Sequence, residues 1–563
     1  MYKNSGYRGN NNYPKRSQQR TINTDFYNPY AFVPLTNKVY LIDKQEKEIL
    51  SHDIPFKDGK SGTINIDFES LTPFCVCDAD GKNTSISGCY FIPGTSIKGM
   101  IRNVFEIITM SNIRNGIANK RYSMRDLRNG AYELKASNHP QKSGFLIQLD
   151  GKFYIQNCSS EKCSYKYIEK EEGISGLKYC KKGIKEKYAM LQSPIVEYED
   201  GSYTMWFFSG FMNNKNNEYL FDIPREFDEL IPLKDAEYKD FIFIHEKENE
   251  NASWKFWKGK LKNYKSIEDL KKDVYRGIVP CFFRTKTDED GKLCVKDLGF
   301  SYLYRQPYKK TIHDFLPSAY MQQGIDMTQS VFGYANEKDA LKGRLQFEHS
   351  FIVNASVEKV QTFTLGSPKP TYYPFYLKQD RSGELHTYFS EQTEISGHKR
   401  YLVRQNAVEG KDTPSKVTKT FVPLSANTKF TAKVHFHNLR DYELGALIAA
   451  ITFCNHQTSC FHSLGIAKPY GYGKLRVNNL SINIIGEDNI NKDYYKEFIS
   501  KMCDRFNISN EAEYLKNISY LFNIASAHYN PQKRIRYPQM NDKDFETIKN
   551  QKLSLKDFSP KNV

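Results

Sequence analysis

Residues 92–106 read IPGTSIKGMIRNVFE, in which a Pro-Gly turn leads directly into a segment with helical apolar periodicity. The apolar residues recur at i, i+4, i+7, i+8 and i+11, which predicts one buried helix face built from Ile97, Ile101, Val104, Phe105 and Ile108. We expect Thr95 or Ser96 to be the N-cap, because hydroxyl side chains accept hydrogen bonds from the free N–H groups of a first turn.

The same stretch has two interpretations. In one, it is an ordinary capped core helix whose two cations are solvated. In the other, the helix N-terminus holds a phosphate, because free N–H groups and the positive end of the dipole both favour anions. Ser96 would add a hydroxyl, and Lys98 and Arg102 at i, i+4 would share one helix face. The stretch alone leaves both interpretations open.

Further segments along the chain supply the rest of a fold. Residues 62–76 (GTINIDFESLTPFCV) and 428–439 alternate with a period of two, which predicts strands. Residues 343–353 (GRLQFEHSFIV) are a further predicted strand, residues 440–454 are helical, and a Gly-rich loop leads into a last strand. With insertions removed, the order is βαββαβ, so we predict an α+β, ferredoxin-like (RRM-like) core.

The domain organisation follows from shifts in composition. Residues 1–24 are polar and basic, which predicts a disordered tail. We assign 25–111 and 326–489 to the two parts of the core. Residues 112–325 form a β-rich insertion or accessory domain with a basic helix at 119–130, and 490–563 form a partly helical C-terminal extension.

Composition limits the classes of partner. The formal net charge of +16 favours a polyanion, usually nucleic acid, although a Lys-rich composition also serves solubility alone. No apolar run of about 18 residues is present, so we expect no membrane span. The first 20 residues lack the apolar region of a secretory signal, and 11 scattered cysteines suggest reduced thiols in a cytoplasm.

The Gly-rich loop LGIAKPYGYGKLRV (464–477) is the second candidate site. Gly465, Gly471 and Gly473 permit positive φ and close backbone approach. Lys468, Lys474 and Arg476 supply cations, and Tyr470 and Tyr472 supply stacking faces. The loop is not a Walker motif, because Leu475 follows Lys474 where Ser or Thr is required. The alternative is a flexible glycine turn.

Metal and catalytic chemistry have weaker signals. Cys454, His456, Cys460 and His462 lack the spacing of a standard zinc site, and Cys158, Cys163 and Cys180 lack a clear fourth ligand, so we predict no metal site. Asp78 and Asp80 precede the IPGTS helix and are the candidate catalytic residues, with Mg²⁺ as the cofactor if the chain is a nuclease. His313, Asp314, His435 and His437 are other titratable groups.

Together the motifs resemble the CRISPR-associated RAMP superfamily, in the form of a larger subtype with an insertion. The matching pieces are GTINIDFESLTPF, YFIPGTSIKGMIR, VFG followed by KGRLQFEHS, the strand and helix of 428–454, and LGIAKPYGYGKLRV. The resemblance implies that Ser96, Lys98 and Arg102 contact the guide-RNA backbone, with the Gly-rich loop beside it. Family subunits that cut target RNA carry an Asp between the first strand and first helix. That loop is short here, and neither Asp78 nor Asp80 is assigned to the motif.

Three hypotheses on function result. The first is a protein that binds guide RNA or other single-stranded RNA in a type III antiviral defence system, together with other CRISPR effector subunits. The second is an endoribonuclease that processes CRISPR transcripts or cuts target RNA. The third is a scaffold that recruits a protein effector through the 112–325 insertion.

Overall fold

The structure is a computed structural model of the whole chain. It describes residues 26–43, 50, 54–126, 132, 134, 141–177, 183–210, 215–247, 252–337, 339–353, 355–380, 385–413, 417–487, 492–527, 534–538 and 543–555. The predicted tail at 1–24 lies outside these residues.

A five-stranded antiparallel sheet lies at the centre of the core. Its strands are β1 (Lys60–Ser70), β2 (Leu345–Phe347), β3 (Lys429–Leu439), β4 (His462–Ser463) and β5 (Lys474–Ile484), in the spatial order β2-β3-β1-β5-β4. The central strand β1 pairs with β3 on one side and β5 on the other, so Ile64 lies opposite both Val434 and Ile482. The predicted strands at 62–76 and 428–439 are therefore the two central partners of one sheet.

Helices cover one face of this sheet. They are α1 (Gly94–Ile108), α2 (Met327–Phe332), α3 (Asp441–Thr452) and α4 (Tyr494–Phe506), and α3 packs against both α1 and α4. The inward residues of β1 are fully buried, as is the predicted stripe of α1, which is made of Ile97, Ile101, Val104, Phe105 and Ile108. The predicted α+β class is confirmed.

The start of α1 differs from the prediction. Its N-cap is Pro93, no side chain caps it, and the Ser96 N–H donates to the Pro93 carbonyl at 2.9 Å. The helix already includes Gly94, which lies against the carbonyl groups of Phe347 and Glu348, where a Cβ would not fit. Thr95 and Ser96 are consequently in the first turn rather than at the cap.

The predicted strand at 343–353 is divided between two sheets. Leu345–Phe347 joins the central sheet, whereas Ser350–Phe351 pairs with Cys89–Ile92, which in turn pairs with Ser85–Ile86. The chain leaves the central sheet after Glu348, whose N–H donates to the Lys433 carbonyl at 3.0 Å. The sequence pattern of residues 343–353 therefore stays strand-like although the chain changes its pairing strand within this segment.

The predicted insertion, residues 112–325, is β-rich and supplies most of a second apolar cluster. Its sheets contain the strands Leu230–Leu233, Lys152–Cys158, Lys142–Leu149, Val279–Thr287, Leu293–Gly299 and Asn263–Tyr264, then Ile195–Glu197, Tyr203–Phe207, Asn217–Ile223 and Ser160–Ser164. The basic helix predicted at 119–130 is wrong where the structure describes it. Arg121–Met124 is a strand paired with Gln306–Thr311, and its last two residues, Ser123 and Met124, are buried by this arrangement.

Both ends of the insertion meet at one point beside α2. The Asn112 N–H donates to Asp326 Oδ2 at 3.1 Å, and Asp326 Oδ1 accepts from the Gln329 N–H at 2.7 Å as the N-cap of α2. Residues 373–395 also contribute to the insertion's apolar cluster, through Tyr373, Leu377, Tyr388 and Ile395. The predicted domain boundaries thus remain a prediction.

Short elements complete the description. The helices are Ile113–Gly116, Tyr165–Glu171, Ile184–Ala189, Asp235–Ile242, Phe243–Lys247, Ala252–Trp257, Ile267–Lys272, Ile312–Phe315, Ser318–Met321, Tyr373–Tyr376, Lys468–Tyr470, Glu511–Asn517, Ser519–Ala525 and Asp544–Asn550. The paired strands are Phe26–Tyr27 with Arg534–Ile535, Tyr30–Val33 with His398–Tyr401, Tyr334–Ala335 with Ala340–Leu341, and Gln361–Thr364 with Thr418–Phe421. Within the described ranges, no helix has the length and apolar character needed to cross a bilayer.

A buried ion pair joins α2, β2 and α3. The Arg344 guanidinium donates to both carboxylate oxygens of Glu443, and their side chains are only 2% and 3% exposed. Ser330 on α2 donates to the same carboxylate at 2.9 Å, and the Arg440 N–H donates to it at 3.0 Å. The Arg344 guanidinium and the Glu443 carboxylate are therefore both hydrogen-bonded within this cluster, as buried charges require.

Arg344→Met should destabilise the chain by about 3–5 kcal/mol, because it leaves the Glu443 carboxylate buried without its cation. Arg225→Met is the matched control, since the Arg225–Asp200 pair is 65% and 66% exposed, and such pairs contribute about 0–1 kcal/mol. Thermal unfolding of the full chain measures both. Equal melting temperatures for the two variants would contradict the structural role of the buried pair.

Candidate nucleic-acid interface

The outer face of α1 presents two cations over one aromatic ring. The Lys98 ammonium and the Arg102 guanidinium lie 6.0 and 5.9 Å from the ring centre of Phe332, the middle residue of the VFG motif. Burial, with Arg102 nearby, lowers the pKa of Lys98. Among the described residues, Arg102 pairs with Glu106 at 2.9 Å, whereas Lys98 has no carboxylate partner. The YFIPGTSIKGMIR and VFG motifs are thus in contact, and Lys98 is the cation that lacks a carboxylate partner among the described residues.

The Gly-rich loop is held by backbone contacts that require glycine. Gly465, Gly471 and Gly473 have φ of 84°, 89° and 78°, in the left-handed region. A Cβ on each would collide with a backbone carbonyl, of Cys75, Asn406 and Leu464 respectively. The loop is therefore rigidly placed, and the alternative of a flexible glycine turn does not fit these contacts.

The tyrosines of the loop face inward. Tyr472 is 4% exposed, and its ring packs edge-to-face against Phe363 and Phe421 at 5.5 and 5.6 Å. Tyr470 stacks on Phe363 at 4.3 Å and donates its hydroxyl to the Thr364 carbonyl. The stacking role predicted for Tyr472 disagrees with this placement, because a buried ring offers no face to a base. Its function in the structure is to anchor the loop.

The loop lysines have different surroundings. Burial and the adjacent Arg400 lower the pKa of Lys468, which has no carboxylate partner among the described residues. The Lys474 ammonium lies 4.4 Å from the ring centre of Phe461, and burial also lowers its pKa. Arg476, by contrast, pairs with Glu69 at 2.6 Å. Lys468 and Lys474 thus join Lys98 as cations without a carboxylate partner among the described residues.

Arg400 connects the helix to the loop. Its guanidinium donates to the Asn103 side-chain oxygen on α1, and its positive charge contributes to the lowered pKa of Lys468. Burial lowers the pKa of Arg400 to about 10, and within the described part of the chain its Nε is buried without a hydrogen-bond partner. We call Lys98, Arg102, Arg400 and Lys468 the cationic path.

Sequence reasoning missed Arg400, which lies outside the quoted motifs. The available signal was the segment HKRYLVR at 398–404, where a histidine and three cations fall within one short strand and its continuation. The Arg404 guanidinium, from the same segment, donates to the Pro469 carbonyl at 3.3 Å and so contacts the Gly-rich loop directly. Residues 398–404 therefore contact both α1 and the Gly-rich loop.

The candidate catalytic residues lie in an exposed turn. Asp78 Oδ1 accepts hydrogen bonds from the N–H groups of Asp80 and Lys82, both at 3.0 Å, so this carboxylate stabilises its own turn. Across the described ranges, no group of three or more His, Cys, Asp or Glu side chains is placed to hold a metal ion. His462 Nε2 donates to the Ile451 carbonyl at 2.8 Å, and the His456 ring stacks on Phe522. Each of these groups has a local structural contact.

Comparison with known proteins identifies the family. The RAMP superfamily profile matches residues 67–476, a range that contains α1, the VFG motif and the Gly-rich loop. Because this range is well over half of the chain, the protein belongs to the RAMP superfamily. No curated protein matches the chain.

Two solved structures have low similarity to the chain. One is a chain of a CRISPR RNA-guided surveillance complex, pre-nicking, with 10% identity and a TM-score of 0.22 over 87% of this chain and 100% of that chain. The other is a chain of a type III-B Cmr-beta complex bound to cognate target RNA, with 8% identity and a TM-score of 0.18 over 75% and 98%. TM-scores this low do not establish a common fold.

Gly473→Ala should destabilise the chain by at least about 1–3 kcal/mol, because the residue is held at positive φ and a Cβ would collide with the Leu464 carbonyl. Gly99→Ala on the exposed face of α1 meets nothing and should stabilise the chain by about 0.5–1 kcal/mol. Thermal unfolding separates the two. A Gly473→Ala variant as stable as Gly99→Ala would show that the loop is not rigidly placed.

Proposed function

We propose that the central sheet and its helices form a ferredoxin-like core, interrupted by the 112–325 insertion and followed by the 490–563 extension. The spatial order β2-β3-β1-β5 supports this proposal. With α1 following β1 and α3 following β3, it corresponds to the βαββαβ arrangement in which the first strand lies beside the third and the last.

We propose further that the chain binds the guide RNA, or another single-stranded RNA, as one subunit of a type III CRISPR effector complex in the cytoplasm. Membership of the RAMP superfamily and the net charge of +16 both favour an RNA ligand. Ser96, Lys98, Arg102, Gly465, Lys468, Gly471, Gly473 and Lys474 remain the proposed contacts from the sequence, and Arg400 is added to them.

The observation that carries this proposal is the cationic path. Lys98 and Lys468 are half-buried cations without carboxylate partners among the described residues, and Arg400 lies between their two elements. Burial and a neighbouring guanidinium both disfavour the charged form of each lysine, and a nearby anion would offset that penalty. A phosphate backbone would supply one negative charge per nucleotide along such a path.

The turn containing Asp78 does not favour the endoribonuclease alternative, since one of its carboxylates is occupied by two backbone N–H groups. We therefore assign RNA binding, rather than RNA cleavage, to this surface.

Lys98→Gln and Lys468→Gln should each weaken binding of single-stranded RNA that carries the CRISPR repeat sequence. Each variant should also reduce the slope of log affinity against log salt concentration by about one, because one phosphate contact is lost. Gel-shift titrations of the full chain at several salt concentrations measure both quantities.

Lys166→Gln is the control, because Lys166 is an exposed lysine on a helix of the insertion. Unchanged affinity and slope in both test variants, with the wild-type chain binding RNA, would place the RNA elsewhere on the surface. The same gels report RNA length, so shortened products would favour the endoribonuclease hypothesis.

A further inference from the structure

Three aromatic rings lie together outside the cationic path. Phe91 and Phe351 are direct cross-strand neighbours in the pairing of Cys89–Ile92 with Ser350–Phe351, and their ring centres are 5.8 Å apart. The His349 ring lies 5.0 Å from that of Phe91. Phe351 is 52% exposed and His349 is also exposed. We call Phe91, His349 and Phe351 the aromatic platform.

The platform is fixed to the N-terminus of α1. The Gly94 N–H donates to His349 Nδ1 at 3.1 Å, which holds the imidazole ring in one orientation. With Nδ1 accepting, the ring proton lies on Nε2. Gly94 begins the helix that carries Ser96 in its first turn and Lys98 in the next. The platform and the start of the cationic path are therefore parts of one local structure.

A large exposed aromatic side chain is unusual when buried positions are close by. Ile352, which directly follows this strand, is 5% exposed, whereas Phe351 presents about half of its surface to solvent. The platform is small, and it is joined through Gly94 to the helix that carries Lys98 one turn later. An aromatic surface beside a phosphate-attracting cation matches the two halves of a nucleotide, a base and its phosphate.

We propose that the aromatic platform stacks an unpaired nucleobase of single-stranded RNA whose phosphates follow the cationic path. This inference rests on the proposed RNA-binding function and adds a second kind of contact to it. Because every base has a π-face, the platform accepts purines and pyrimidines alike. It excludes a base within a duplex, whose faces are covered by its neighbours.

The test compares Phe351→Ala with Val360→Ala in the full chain. Val360 is 60% exposed and lies further along the same segment, so it controls for the loss of an exposed apolar side chain. The probes are a single-stranded RNA with a fluorescent purine analogue at single positions, and a matched RNA with an abasic site at each of those positions. Circular dichroism verifies that both variants fold.

We expect Phe351→Ala to weaken binding of the intact RNA about tenfold, the scale of one lost stacking contact. Its salt slope should be unchanged, because no phosphate contact is removed. In the wild-type chain, one position of the purine analogue should show quenched fluorescence, and the abasic RNA for that position should bind equally to wild type and Phe351→Ala. Val360→Ala should behave as wild type throughout.

Three outcomes overturn the proposal in different ways. If the wild-type chain binds RNA and Phe351→Ala retains full affinity and quenching, the platform is wrong while the proposed function stands. If the wild-type chain binds no single-stranded RNA at low salt, the proposed function fails and the platform fails with it. A Phe351→Ala variant that keeps full RNA affinity but loses a co-purifying subunit would reassign the platform to a protein contact.

Discussion

The ion pair between Arg344 and Glu443 is the constraint on which the core depends. Two opposite charges with almost no solvent exposure are stable only when they remain together and fully hydrogen-bonded. Arg344 directly precedes β2, and Glu443 lies in the first turn of α3. Ser330 on α2 donates a hydrogen bond to the same Glu443 carboxylate. Segments far apart in the chain are thereby held at a single polar point, within an otherwise apolar layer.

The Arg344–Glu443 ion pair also fixes the position of part of the candidate nucleic-acid interface. Phe332 follows Ser330 by two residues and supports the two cations of α1, so the position of the buried pair fixes the ring beneath Lys98 and Arg102. The apolar stripe of α1 lies directly beside these cations, since Phe105 of the stripe packs against the same Phe332 ring at 5.1 Å. The apolar residues of α1 therefore fix the helix in the core, and this fixes the positions of Lys98 and Arg102.

Periodicity predicted the core well, because alternation in β1 and β3 and the stripe of α1 are enforced by burial on one face. It failed at 343–353, where an unbroken strand pattern changes sheets, because pairing partners are not encoded in local periodicity. The Gly-rich loop was located correctly, yet the inward direction of Tyr472 depends on Phe363 and Phe421, which are distant in sequence. Arg400 was missed for a similar reason, since only tertiary structure brings it between α1 and the loop.

The junction at Asn112 and Asp326 has a consequence for how such a chain can change over time. Because the Asn112 N–H at the entry donates to the Asp326 carboxylate at the exit, the two ends of residues 112–325 lie together whatever the length of chain between them. A segment of another length could connect the same two points while the sheet kept its register, provided that it also covered the apolar side chains of residues 373–395. The central sheet and the cationic path could then remain constant while the inserted segment diversified.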